Sequence, residues 1–258
     1  MTAVVVHHAA QGPTDAPVLV LAGSLGSTHR MWDPVVPALA EHLRVVTYDA
    51  RGHGLSPAPT GPYAIDDLAD DLVLLLDTLG VARAHLGGLS LGGMTAMRLA
   101  ARTPGRVGSL TVLCTSARLG PAQGWLDRAA TVRAGGAASV APAIVERWLT
   151  PAAAQQDPAL VAALVAMVSS SSAHGYAACC EAIAEMDLRP DLASITAPTL
   201  AIAGGQDPAT PPEHLRLIAE GIEGARLEVL SPAAHIAVHE QPAAVARLVL
   251  DHVAAHPV

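Results

Sequence analysis

Short apolar runs alternate with amphipathic stretches along most of the chain. Residues 17–21, Pro-Val-Leu-Val-Leu, are apolar throughout, as in a strand buried on both faces. Residues 34–43 read as a helix with Pro37 near its start, where proline is tolerated. Residues 44–48 predict the next strand. Over 66–79, Leu68, Leu72, Leu75, Leu76 and Leu79 recur at helical spacing. Asp66 and Asp67 fall in the first turn, where the helix dipole favours acids, and Gly80 marks the stop. A strand at 84–87, a helix at 91–102 and a strand at 110–114 follow. The alternation lapses from 119 to 189, where only helical patterns occur and the serines of 169–172 read as a loop. It resumes with a strand at 199–203, a helix at 212–222, a strand at 226–230 and a helix at 243–253. Such alternation predicts an α/β fold with a parallel sheet covered on both faces. The helical stretch reads as an insertion into it.

Composition narrows the chemistry. The chain has 258 residues, a net charge of −8, 51% hydrophobic and 15% charged residues. That is a globular composition, and its acidity argues against a nucleic-acid partner. All basic residues other than histidine are arginines. Without lysine, no P-loop, Schiff-base enzyme or Ser–Lys dyad can be built. Cys114, Cys179 and Cys180 form no metal-ligand spacing, so no metal is expected, and they suit free thiols in a reducing cytoplasm. The N-terminal residues lack the basic region of a signal peptide. The longest apolar run, 159–168, is ten residues, against about twenty for a membrane span.

The candidate chemistry lies at strand ends. Gly88-Leu89-Ser90-Leu91-Gly92 joins a predicted strand to a predicted helix, the context of a G-x-S-x-G nucleophile elbow. The glycines are needed because the turn is sharp, and Ser90 is lifted above the sheet. A serine hydroxyl is a weak nucleophile that needs a base oriented by an acid, in the chain order Ser, Asp, His. Asp207 follows the 199–203 strand; the preceding strand's end, Cys114-Thr-Ser-Ala117, offers no carboxylate. His235 comes just after the 226–230 strand and is favoured as base, with His239 the alternative. The N–H groups of Leu91 and of Leu25, in the glycine-rich loop 23–27, are the expected oxyanion donors. Asp49-Ala-Arg51-Gly-His53-Gly-Leu-Ser56 is read as a structural turn bordering the site.

The parts Gly23-Ser-Leu-Gly-Ser-Thr-His-Arg-Met-Trp-Asp33, Tyr48-Asp-Ala-Arg-Gly-His-Gly-Leu-Ser56, Gly88-Leu-Ser-Leu-Gly-Gly-Met94, Gly175-Tyr-Ala-Ala-Cys-Cys180 and Gly204-Gly-Gln-Asp-Pro-Ala-Thr-Pro211 together resemble the α/β-hydrolases. More narrowly they resemble bacterial 3-oxoadipate enol-lactonases of protocatechuate catabolism. The resemblance implies a core of residues 1–118 and 190–258, with a helical lid of 119–189 inserted after the sixth strand. It implies a cofactor-free serine hydrolase of the cytoplasm, acting on a small anionic lactone. Other readings of the same residues are a small-ester or lactone esterase, a meta-cleavage C–C hydrolase, or a ligand-binding protein on a degenerate hydrolase fold. A lactone carboxylate would need a local cation in so acidic a chain. Arg128, Arg133 and Arg147 lie near Trp125 and Trp148 in the insertion. Arg133 ranks first, on a helical spacing that aligns it with Ala129 and Ala130, and the two tryptophans are the expected ring contacts. The oligomeric state is not legible.

Overall fold

The computed structural model describes residues 2–258. Seven strands form one sheet: β1 (His8–Gln11), β2 (Val18–Ala22), β3 (Arg44–Tyr48), β4 (Ala84–Leu89), β5 (Val107–Leu113), β6 (Thr199–Gly204) and β7 (Arg226–Leu230). Their spatial order is β1-β3-β2-β4-β5-β6-β7. Only β1 is antiparallel, paired with β3; the others run parallel. Every residue of β4, β5 and β6 is buried, as expected for central strands of a parallel sheet covered on both faces. β1 has no such signature. His-Ala-Ala-Gln is half-exposed at the sheet edge, and it is a strand because β3 supplies a partner, not because of its own pattern.

The helices of the core are α1 (Val36–Ala40), α2 (Ile65–Thr78) and α3 (Leu91–Arg102). The insertion contributes α4 (Ala122–Gly135), α5 (Ala141–Val145), α6 (Pro151–Gln156), α7 (Pro158–Ser169) and α8 (Ala173–Glu185). The chain returns to the core with α9 (Pro212–Gly221), α10 (Ala237–Glu240) and α11 (Pro242–Ala254). α1 packs on α11; α2 packs on α3, which covers β2, β4 and β5. In α2 the buried leucines fall on one side, as their spacing predicts. The Asp67 carboxylate accepts the Ala64 N–H at 2.8 Å, and Gly80 ends the helix at φ +67°.

Five strands precede the insertion, so it follows the fifth strand and not the sixth. A single short edge strand comes before β2. Within the insertion α4 and α8 make the most extensive contact. The serine run is the expected connection: α7 ends at Ser169, and the Ser172 hydroxyl caps α8 by accepting the Gly175 N–H at 3.2 Å. Gly175 then meets Gly52 of the core. A Cβ on Gly52 would lie 2.4 Å from the Gly175 Cα, so the two backbones touch where no side chain fits. No single helix is long and apolar enough to cross a membrane among the described residues.

The turn after β3 is structural, as its sequence suggests. Arg51 is completely buried and grips Asp71 of α2 through Nε and Nη2, each 2.6 Å from a carboxylate oxygen. The Asp49 carboxylate accepts the His29 N–H at 2.7 Å and the Leu55 N–H at 2.9 Å. His53 accepts the Gly26 N–H on Nε2 at 2.9 Å while its Nδ1 faces the Arg51 carbonyl at 3.1 Å. Burial pushes the His53 imidazole below its usual range, so it stays neutral and can accept.

Candidate active site

In open α/β sheets a crevice forms where consecutive strands depart in opposite directions. Here that point is β2, which lies between β3 and β4. The loop after β2 carries Leu25, and the turn after β4 carries Ser90. Ser90 has φ 56° and ψ −117°, a strained conformation for a residue with a side chain. Close packing enforces it. A Cβ on Gly88 would sit 2.2 Å from the Gly92 carbonyl oxygen, and one on Gly92 would sit 2.1 Å from that of Ala22. The Ser90 N–H donates to the Leu113 carbonyl at 3.0 Å, and the Thr115 hydroxyl donates to the Ser90 carbonyl at 2.6 Å.

Asp207 and His235 come together from the ends of β6 and β7. His235 Nδ1 lies 2.8 Å from Asp207 Oδ2. The other Asp207 oxygen accepts the N–H groups of Ala209 at 2.7 Å and Thr210 at 3.0 Å. The Thr210 hydroxyl donates to Oδ2 at 2.6 Å and lies 3.3 Å from His235 Nδ1. Burial works to raise the Asp207 carboxyl. Electrostatic attraction to the His235 ring and the hydrogen bonds from His235 and Thr210 outweigh it, so the group sits below the ordinary aspartate value. An ionised Asp207 holds the proton of His235 on Nδ1 and leaves Nε2 as the free lone pair. Thr210 was not singled out in the sequence. Its signal is the fixed three-residue step from Asp207, which lets one loop hold the carboxylate with two N–H groups and a hydroxyl.

Ser90 and His235 line one cavity of about 70 Å³, together with Leu25 and Thr210. No direct hydrogen bond joins the Ser90 and His235 side chains; contacts of this kind tighten around a bound substrate. A larger open groove of about 770 Å³ passes Leu149, Gln206 and Glu240 but contains neither Ser90 nor His235, so the chemistry belongs to the smaller space. His239 borders that groove instead, and its Nε2 has no partner among the described residues.

The two oxyanion candidates lie on segments that are fastened to each other. The Gly92 N–H donates to the Gly23 carbonyl at 3.0 Å and fastens the start of α3 to the loop after β2. Leu91 opens α3, where first-turn N–H groups have no intrahelical acceptor. Around Leu25 the neighbouring N–H groups are occupied: Ser24 on the Met31 sulfur at 3.2 Å, Gly26 on His53, and Ser27 on the Ser24 carbonyl at 3.0 Å. The Leu25 N–H has no acceptor among the described residues.

The insertion roofs the cavity with Trp125, Arg128, Ile144, Arg147, Trp148 and Tyr176. Both expected tryptophans are therefore at the site. Arg133 is not. It is exposed and forms a two-point ion pair with Glu181 of α8, one bond at 2.9 Å. On α4 the inward line runs Trp125, Arg128, Ala129, Val132, and Arg133 falls one step beyond it, aligned with exposed Ala130. The arginines that reach the cavity are Arg128 and Arg147. Arg128 stacks on Trp125, 4.5 Å from the ring centroid. Burial first, and then the charge of Arg128, lower the affinity of Arg147 for its proton. Neither is paired with a carboxylate among the described residues, and the buried Tyr176 hydroxyl lies beside Arg128. A ligand atom set from His7, His29 and Asp49 is compact enough for a cation, but hydrogen bonds of both rings to Asp49 account for it, and none of the three lines the cavity.

The alpha/beta hydrolase fold profile matches residues 16–242. The chain belongs to the alpha/beta hydrolase fold family. A 3-oxoadipate enol-lactonase of Acinetobacter baylyi is 41% identical over 93% of this chain and 90% of its own length. The crystal structure of the enol-lactonase from Burkholderia xenovorans superposes with a TM-score of 0.93 at 40% identity, covering 96% of this chain and 95% of that one. A protein of Stutzerimonas stutzeri named as a candidate carbamate hydrolase, RutD, is 31% identical over 93% of this chain and 92% of its length. The chain is a hydrolase of this fold, similar to enol-lactonases.

Proposed function

We propose that this hydrolase opens 3-oxoadipate enol-lactone to 3-oxoadipate through an acyl-enzyme, as a step of cytoplasmic aromatic catabolism. The observation that carries the reading is the pair of arginines, Arg128 and Arg147, that face the Ser90–His235 cavity without carboxylate partners. Two guanidinium groups held close and unneutralised in a small cavity are costly unless an anion joins them. The lactone carries a carboxylate, and the enol-lactonase relatives at 37–41% identity act, by name, on that substrate.

Ser90 Oγ attacks the lactone carbonyl as His235 Nε2 takes its proton, and Asp207 stabilises the resulting imidazolium. The carbonyl oxygen becomes an oxyanion between the N–H groups of Leu25 and Leu91. The ring C–O bond breaks, His235 returns the proton to the enolate oxygen, and the enol becomes a ketone. Water, deprotonated by His235, then cleaves the ester to Ser90. No step calls for a metal or cofactor.

The test is a pair of substrates. Arg147→Ala and Arg128→Ala are each expected to raise KM for the lactone roughly ten- to a hundred-fold, from about 1.5–3 kcal/mol for a charge-assisted contact. KM for a neutral ester of similar size should barely move. Turnover confined to neutral esters, to a vinylogous dienone acid or to a carbamate would replace the lactonase reading. Absence of fluorophosphonate labelling at Ser90 would point to a binding protein.

A further inference from the structure

One carboxylate fastens the histidine loop to the helical insertion. Glu240, at the end of α10, lies five residues after His235 and faces away from the cavity. Its Oε1 accepts the Thr150 N–H at 3.0 Å and the Thr150 hydroxyl at 2.6 Å. Its Oε2 accepts the Ala234 N–H at 2.6 Å. On the other side of the histidine, the Ile236 N–H donates to the Trp148 carbonyl at 3.0 Å. The peptide groups on both flanks of His235 are thus held by the stretch 148–150, one through Glu240 and one directly. That same stretch contributes Trp148 to the cavity roof. Thr150 and Ala234 are buried, so an N–H group left there without its acceptor is costly.

We propose that Glu240 is a positioning residue: by binding Ala234 and Thr150 at once, it makes the placement of the His235 ring depend on the seating of the insertion. Only an acceptor on both oxygens satisfies all three donors. A glutamine must turn its NH₂ toward either Ala234 or Thr150 and leave the backbone N–H on that side without its acceptor. The proposal rests on His235 acting as the base, and the experiment separates the two claims.

The full chain and its Glu240→Gln and Thr150→Val variants are assayed on p-nitrophenyl acetate and on the enol-lactone, with the rate of fluorophosphonate labelling at Ser90 as a second readout. For Glu240→Gln, kcat and the labelling rate should fall roughly ten- to a hundred-fold while KM changes less than about threefold, because the roof arginines are untouched. Thr150→Val keeps the Ala234 link and should lose about two- to ten-fold in kcat. Added to Glu240→Gln it should cost little more, since Thr150 acts through Glu240. A lowered melting temperature with kcat and labelling at the wild-type level would make Glu240 a stability residue only and overturn the proposal. If Glu240→Gln does not fold, unchanged kcat in Thr150→Val overturns it equally. A wild-type chain that turns over neither substrate and does not label removes the hydrolase reading, and this proposal with it. Wild-type activity with indifferent variants removes the proposal alone.

Discussion

The elbow and the roof differ in what holds their residues in place. At the elbow, Ser90 is fixed by backbone: two glycine positions with no room for a Cβ, a strand buried throughout and a helix start fastened to Gly23. At the roof, Arg128 and Tyr176 come from α4 and α8 and Arg147 from the turn after α5, and the two arginines reach the cavity with no carboxylate paired to them among the described residues. The first region offers one conformation and is read by chain order. The second depends on which helix face turns inward, and one residue of rotation moves a charge from cavity to solvent.

The strongest way to break this contrast is to remove the chemistry at the rigid end. Ser90→Ala should lower turnover by roughly 10⁶, and adding His235→Ala should cost little more, because nucleophile and base are each useless alone. Asp207→Asn should cost on the order of 10⁴, since the ring remains but its tautomer is no longer held. Steady-state kinetics on the lactone, with circular dichroism to confirm folding, checks both. Fully additive losses would mean that the three residues do not act as one unit.

That order of legibility has physical causes. Ser90, Asp207 and His235 were readable as candidates because each follows a predicted strand in the chain order Ser, Asp, His that a nucleophile elbow calls for. β1 was not, because an edge strand of His-Ala-Ala-Gln carries no hydrophobic pattern. Thr210 and Glu240 were not, because a hydroxyl or carboxylate that acts by satisfying buried N–H groups looks like any loop residue until its donors are located. Arg133 was misplaced for a related reason. Alanine spacing marks a helix face weakly, and only the packing of α4 on α8 decides which side is inward.

A middle-sized effect tests the rigid side at its foundation. Asp49 lies under the loops that border the elbow. Burial works to raise its carboxyl, but the N–H groups of Leu55 and His29 and the His29 ring outweigh it and hold it below the ordinary range. A depressed carboxylate stabilises the fold above its unfolded value of about 3.9, and that contribution is lost as pH falls through the lower folded value. Asp49→Asn should therefore be less stable at pH 7 by about 2 kcal/mol, a typical value for hydrogen bonds to a charged group. The gap should begin to narrow near pH 4 and close as pH falls through the lower folded value. Urea denaturation at both pH values reads it. A gap that persists unchanged in acid would show that the carboxamide disturbs packing rather than charge.

The smallest effect is the most discriminating for the roof. Arg133 and Glu181 join α4 to α8 at the surface, and exposed ion pairs contribute about 0–1 kcal/mol. Arg133 does not line the cavity, so Arg133→Ala should change KM and kcat for the lactone by less than about twofold. Its small stability cost should shrink further in 1 M salt, where the screening length is about 3 Å. Glu181→Gln should have the same modest effect, and the double variant should add nothing, because each partner's contribution lies in the pair. The measurement is KM for the lactone beside that of a neutral ester, at low and high salt. A tenfold rise in KM limited to the anionic substrate would mean that Arg133 leaves Glu181 and swings inward when the lactone binds. The roof would then be a surface that rearranges around its ligand, and its contrast with the backbone-fixed elbow would be sharper still.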